Sequence, residues 1–153
     1  MVQELEKLRK YCVYQDRCHS EVRSKLLSIK VYGDELEEII SILISEGFLN
    51  EERFARSYCR GKFRIKKWGR QKIRKNLIFK RVSEYCIRKG MEEINEEEYL
   101  TALNETLLKA MYKYSSFSQA IQKDKAIKYT ASRGYELPLI FNAIREIELD
   151  SNP

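Results

Sequence analysis

"EVRSKLLSIKVYGDELEEIISIL" (Glu21–Leu43) and "KIRKNLIFKRVSEYCIRKGMEEI" (Lys72–Ile94) lie 51 residues apart, and setting one over the other decides the fold. Val22 falls on Ile73, Leu26 on Leu77, Val31 on Val82, Leu36 on Ile87, Ile40 on Met91 and Leu43 on Ile94. All six pairs are apolar. A further shift of 53 residues reaches "KAIKYTASRGYELPLIFNAIREI" (Lys125–Ile147). There Ile73 meets Ala126, Val82 meets Tyr135, Ile87 meets Ile140, Met91 meets Ile144 and Ile94 meets Ile147; only Thr130, opposite Leu77, is polar. One sequence unit therefore occurs three times, with a period near 50 residues.

Within a copy the apolar spacing is helical. Leu36, Ile39, Ile40, Leu43 and Ile44 follow the i, i+3, i+4, i+7 rule for one buried helix face. Each repeat reads as three helices. The first is expected over 4–14, 51–66 and 96–112, the second over 20–28, 70–79 and 118–132, and the third over 34–46, 83–94 and 137–147. Asp34 is the expected N-cap of its helix, with Glu37 three residues on, and Gly47 the expected stop. Asn50 caps the next helix, whose first turn holds Glu51 and Glu52. Pro138 suits a first turn, where a missing N–H costs little. The expected organisation is repeat 1 over 1–49, a basic repeat 2 over 50–95 and repeat 3 over 96–153. A module of ~40 residues is hardly stable alone, so neighbours must pack on one another; the expected fold is all-α, three tandem three-helix repeats in an elongated, curved body.

Composition fits. The 153 residues are 43% apolar and 34% charged, with two prolines and six glycines, which disfavours a turn-rich β fold. The four cysteines, at 12, 18, 59 and 86, form no C-x-x-C pair and read as thiols of a reducing compartment. The first residues are too charged for a signal peptide, and no apolar run approaches the ~20 residues of a membrane span; the expected location is the cytoplasm. The single histidine, His19, is too little for a histidine metal cluster and reads as a surface or cap residue. The run Glu92, Glu93, Glu96, Glu97, Glu98 has no cation-loop pattern and reads as first-turn acids on a solvated face. No Walker loop, G-x-G-x-x-G or nucleophile elbow is present, so the sequence suggests neither an enzyme nor a cofactor.

Charge is the functional signal. Between Arg53 and Arg81 there are thirteen Lys and Arg and no acid, out of 29 Lys and Arg in a chain of net charge +6. Arg53, Arg56, Arg60 and Arg64 are spaced to line one helical ridge about 16 Å long. The candidate binding residues are these four with Lys62, Lys66, Lys67, Arg70, Lys72, Arg74 and Lys75. A charge run usually makes a solvated face; the acid-free length favours an anionic partner instead. Phe54, Tyr58 and Phe63 or Ile65 would form one apolar stripe beneath it, and Ile73, Leu77 and Ile78 another. Trp68 either packs where the two helices meet or stacks on bases. Cys59 is a structural thiol or, in basic surroundings, one of lowered pKa. No helix offers clear base-reading residues at its start, which argues against sequence-specific DNA recognition.

The junction Glu46-Gly47-Phe48-Leu49-Asn50-Glu51-Glu52-Arg53-Phe54-Ala55-Arg56 resembles the "E-G-[FY]-L-[ND]-D-E-R-F-A" signature of the RecX family. Lys67-Trp68-Gly69-Arg70-Gln71-Lys72-Ile73-Arg74-Lys75-Asn76-Leu77 is similar to that family's "G-P-x-x-I-x-x-x-L", and Arg133-Gly134-Tyr135 to its "R-G-[FY]". Glu51 stands where the family usually has Asp, and Arg70 where Pro is common. The resemblance implies a non-enzymatic modulator, mostly an inhibitor, of the RecA recombinase; a monomer is the default expectation. Such a protein lies in the groove of the RecA–single-stranded-DNA filament and hinders strand exchange, ATP turnover and repressor cleavage. Phe48, Leu49, Phe54 and Ala55 would be structural. The residues taken alone also fit a nucleic-acid-binding helical protein with no recombinase partner, or a purely protein-binding adaptor.

Overall fold

The computed structural model describes residues 1–151. Among them are nine helices and no strand: α1 (Val2–Tyr14), α2 (His19–Ser28), α3 (Gly33–Ser45), α4 (Glu51–Arg64), α5 (Arg70–Phe79), α6 (Glu84–Met91), α7 (Glu96–Lys113), α8 (Gln119–Ser132) and α9 (Leu137–Ser151). The all-α expectation and the three-helix repeat hold. No helix among the described residues is long and apolar enough to cross a membrane.

The aligned apolar positions are the core. Of the eighteen in the three copies, all are buried except Met91 and Ile147, which are half-buried. Their spacing has a local cause. In each copy the second helix ends in the same hydrogen-bonded motif: Val31 N–H donates to Leu26 O at 3.0 Å, Val82 N–H to Leu77 O at 3.1 Å and Tyr135 N–H to Thr130 O at 3.5 Å. The residue before each donor is left-handed: Lys30 (φ 65°), Arg81 (φ 62°) and Gly134 (φ 104°). This is the Schellman arrangement, in which the side chains at the two ends of the long hydrogen bond also pack together. Thr130 is tolerated in the core because its hydroxyl donates to Ala126 O at 2.8 Å.

Caps follow the sequence with one exception. Asn50 Oδ1 accepts from Arg53 N–H at 2.9 Å, and Gly47 ends α3 at φ 79°. Asp34 is not the N-cap of α3. The helix starts one residue earlier, at Gly33 (φ 58°), behind Tyr32, and Asp34 sits in the first turn as a favourable charge.

The chain divides into two compact units. The first holds 1–60 and 76–93, the second 61–75 and 94–153, so α4 and α5 each contribute to both. In the first unit the core of α1–α3 (Leu8, Val22, Leu26, Ile39, Leu43) is closed by a bidentate pair from Arg9 to Glu46, at 2.7 and 2.9 Å. In the second, Phe63, Tyr99 and Tyr135 form a ring ladder with centroids 5.7 and 5.2 Å apart. Burial, and then a hydrogen bond to Glu136, push the Tyr99 phenol above its ordinary 10.0, and burial does the same to Tyr135. A pKa raised in the folded state means stability that is full below about pH 10 and is lost as pH rises further. Urea midpoints measured between about pH 8 and pH 11 should fall steeply above pH 10; a flat profile to pH 11 would contradict the buried-phenol ladder.

Candidate functional site

The basic stretch is contributed in two parts, one to each compact unit, and the parts differ electrically. In the first unit Arg53, Arg56 and Arg60 lie along α4, as their spacing predicts. They are not an unrelieved ridge. Arg53 Nε donates to Asp16 at 2.8 Å and its guanidinium also to the carbonyls of Gly47 and Phe48, both at 3.1 Å. Arg56 meets Glu52 at 3.2 Å, Glu92 at 3.2 Å and Glu93 at 2.7 Å, and Arg60 also donates to Glu93. The expectation that no acid relieves these arginines, and that Glu92 and Glu93 only face solvent, is thereby corrected.

The physical reason is the return of α6. Gly90 is buried against α4, where a Cβ would stand 2.7 Å from Ala55 O and 2.8 Å from Cys59 Sγ. That close approach sets the two glutamates just after α6 beside Arg56 and Arg60. Arg60 first, and Arg56 next, hold the Glu93 carboxyl below the usual carboxylate range, and Arg56 is raised in turn by Glu52 and then Glu93. One sequence signal for this was present. Arg56 and Glu93 are 37 residues apart, the same separation as the Arg9–Glu46 pair in repeat 1. Cys59 is buried here, and burial followed by Glu93 pushes its thiol up to about 12, the opposite of an activated thiolate. His19 takes a junction role: its backbone N–H and Nδ1 both meet Glu51, at 3.0 and 3.3 Å.

In the second unit the candidates are Lys62, Arg64, Lys66, Lys67, Arg70, Lys72, Arg74 and Lys75. Arg70 is committed internally. Its guanidinium bridges Glu96 at 3.0 Å and Glu136 at 2.9 Å and lies 3.9 Å from the Tyr99 ring centre; its backbone N–H donates to Tyr99 Oη at 3.0 Å, and that hydroxyl donates to Glu136. Arg70 uses both its backbone N–H and its side chain here, neither of which a Pro at this position would supply. The turn before it is fixed through backbone groups and the Tyr135 hydroxyl. Gly69 N–H donates to Arg133 O at 2.8 Å, Gln71 N–H to Gly134 O at 3.0 Å, and Tyr135 Oη to Lys67 O at 2.8 Å.

Trp68 is half-buried, with Lys62 Nζ 4.9 Å and Lys72 Nζ 4.5 Å from its ring. The indole face therefore holds two ammonium groups in place by cation–π attraction. Arg64, Lys66 and Lys75 are exposed and make no ion pair among the described residues. Ile65 and Ile78 are 79% and 56% exposed, so neither belongs to an inner stripe; Phe54, Ala55, Cys59 and Phe63 do.

Summed over each unit, the first carries 14 Lys and Arg against 14 Asp and Glu, and the second 15 against 9. The whole net charge of +6 thus resides in the second unit. Exposed cations without internal partners beside a lysine-flanked indole suit an anionic polymer, whose phosphates they neutralise with release of counterions.

The family described as "RecX, second three-helix domain" matches residues 50–91. Regulatory protein RecX of Lactococcus lactis subsp. cremoris (strain SK11) is 24% identical over 145 residues, covering 93% of this chain and 54% of the relative. That of Bacillus cytotoxicus is 25% identical over 138 residues, covering 90% and 51%. The chain thus spans about half the length of the curated relatives it matches. A crystal structure of RecX from Lactobacillus salivarius superposes with a TM-score of 0.83 at 24% identity, covering 97% of this chain and 99% of that one. A second crystal structure of regulatory protein RecX gives 0.87 at 19%, covering 94% and 72%. Those likenesses show the fold.

Proposed function

We propose, from the premise that the chain is a RecX-like protein, that it is a regulator that binds the RecA–single-stranded-DNA filament and lowers its recombinase, ATPase and coprotease activity. The second compact unit supplies the electrostatic contact. Lys62, Arg64, Lys66, Lys67, Lys72, Arg74 and Lys75 face the polyanion, whether DNA phosphate or an acidic RecA surface. Arg53, Arg56, Arg60 and Arg70 serve the fold through the carboxylates they hold. The observation that carries this reading is the concentration of the net +6 in one unit, with Arg64, Lys66 and Lys75 exposed and unpaired within the molecule.

The test is RecA-dependent ATP hydrolysis on single-stranded DNA, titrated with this protein. The rate is expected to fall as the protein is added, and to fall less with R64Q/K66Q/K75Q. An unchanged rate at large excess overturns the reading. Equal affinity for bare strand and coated filament would instead favour a nucleic-acid-binding protein without a recombinase partner.

A further inference from the structure

A second surface of the second compact unit has no part in the family motifs. "KAMYKYSSFSQAIQKDKAIKY" (Lys109–Tyr129) covers the end of α7, the turn and most of α8, with five lysines and four aromatic rings against one acid, Asp124. That acid is already held by Lys128 at 2.9 Å, and Lys123 is matched by Glu148 at 2.8 Å. Lys113 and Lys125 make no ion pair among the described residues. They lie instead over rings. Lys113 Nζ is 5.4 Å from the Tyr114 centre and 5.2 Å from that of Tyr129; Lys125 Nζ is 4.8 Å from Phe117 and 5.8 Å from Tyr114. Tyr114 and Phe117 pack edge to face at 6.2 Å, and Phe117 is 45% exposed.

We propose that this α7–α8 turn is a binding site for single-stranded nucleic acid, distinct from the Lys62–Lys75 surface. Lys113 and Lys125 take successive phosphates, and Phe117, with Tyr114 behind it, offers a stacking face to a base. The chemistry selects a polymer that alternates negative charge with flat rings. Two ammonium groups positioned on aromatic faces supply the first contact, and an exposed ring supplies the second. The positive end of α8, with no acid in its first turn, adds to the attraction. A duplex buries its base faces and leaves Phe117 without a partner.

The experiment is fluorescence anisotropy on the whole protein without RecA, using a labelled single-stranded dT oligomer and an abasic oligomer of equal length and charge. Wild type should bind the dT oligomer about tenfold more tightly, the worth of one stacked base. F117L should abolish that preference, and K113Q/K125Q should lower the slope of log K against log salt by about 1.4, two single-strand phosphates. R64Q/K66Q/K75Q, altered only on the other surface, should keep the preference for dT. Circular dichroism and the urea midpoint confirm that each variant is folded. Equal binding of dT and abasic oligomers by wild type, or an unchanged slope in folded K113Q/K125Q, overturns the proposal. So does stronger binding by an acidic peptide than by either oligomer.

Discussion

Gly69→Ala should remove about 3–5 kcal/mol from the second compact unit, through overpacking and lost backbone hydrogen bonds. A Cβ at Gly69 would stand 2.2 Å from Gly134 C, 2.4 Å from Gly134 O and 2.4 Å from Tyr135 N. All three are backbone atoms, which cannot swing aside as a side chain can. Relief requires the two turns to part, and parting them breaks the bonds from Gly69 to Arg133 O and from Gln71 to Gly134 O. The Tyr135 hydroxyl bond to Lys67 O is strained with them. Urea denaturation followed by circular dichroism reads the loss. A midpoint within a few tenths of molar of wild type would show that the turns do not touch in this way. Gly134→Ala meets the same barrier, with the Lys72 Cβ at 2.5 Å and a left-handed backbone besides.

Phe54→Ala should cost ~3–5 kcal/mol, this time in the first unit. The ring is 5% exposed and packs on Tyr58 at 5.6 Å, on the buried side of α4. Truncation removes the transfer free energy of a large ring and leaves a cavity that two packed helices cannot close. Phe54→Leu, which keeps most of the volume, should cost less than half as much. Equal stability of wild type and Phe54→Ala would mean that the junction motif is a contact surface and not a packing element.

How much of this was legible in the sequence depends on how far apart the partners lie. The apolar pairs such as Leu26 with Val31 and Leu77 with Val82 were visible because a local motif, the end of a helix, fixes their spacing. The left-handed residues were not, since Lys30 and Arg81 occupy a conformation that only Gly134 announces by type. The same limit misled the reading of charge. Scanning from Arg53 to Arg81 finds no acid because the carboxylates lie outside the stretch, most of them far along the chain: Glu93 for Arg60, Asp16 for Arg53, Glu136 for Arg70. Helix return, permitted at Gly90, brings the first of these in. Arg64, Lys66 and Lys75 are exposed and make no ion pair among the described residues.

The division of the basic stretch into arginines that hold the fold and cations that face a partner is tested most directly by salt. The affinity of wild type, R64Q/K66Q/K75Q and R56Q/R60Q for RecA-coated single-stranded DNA should be measured over a range of ionic strength. R64Q/K66Q/K75Q should lose about 2 from the slope of log K against log salt at an unchanged urea midpoint. R56Q/R60Q should keep the slope and lose stability. The reverse pattern, with the slope lost in R56Q/R60Q and kept in R64Q/K66Q/K75Q, would contradict the account.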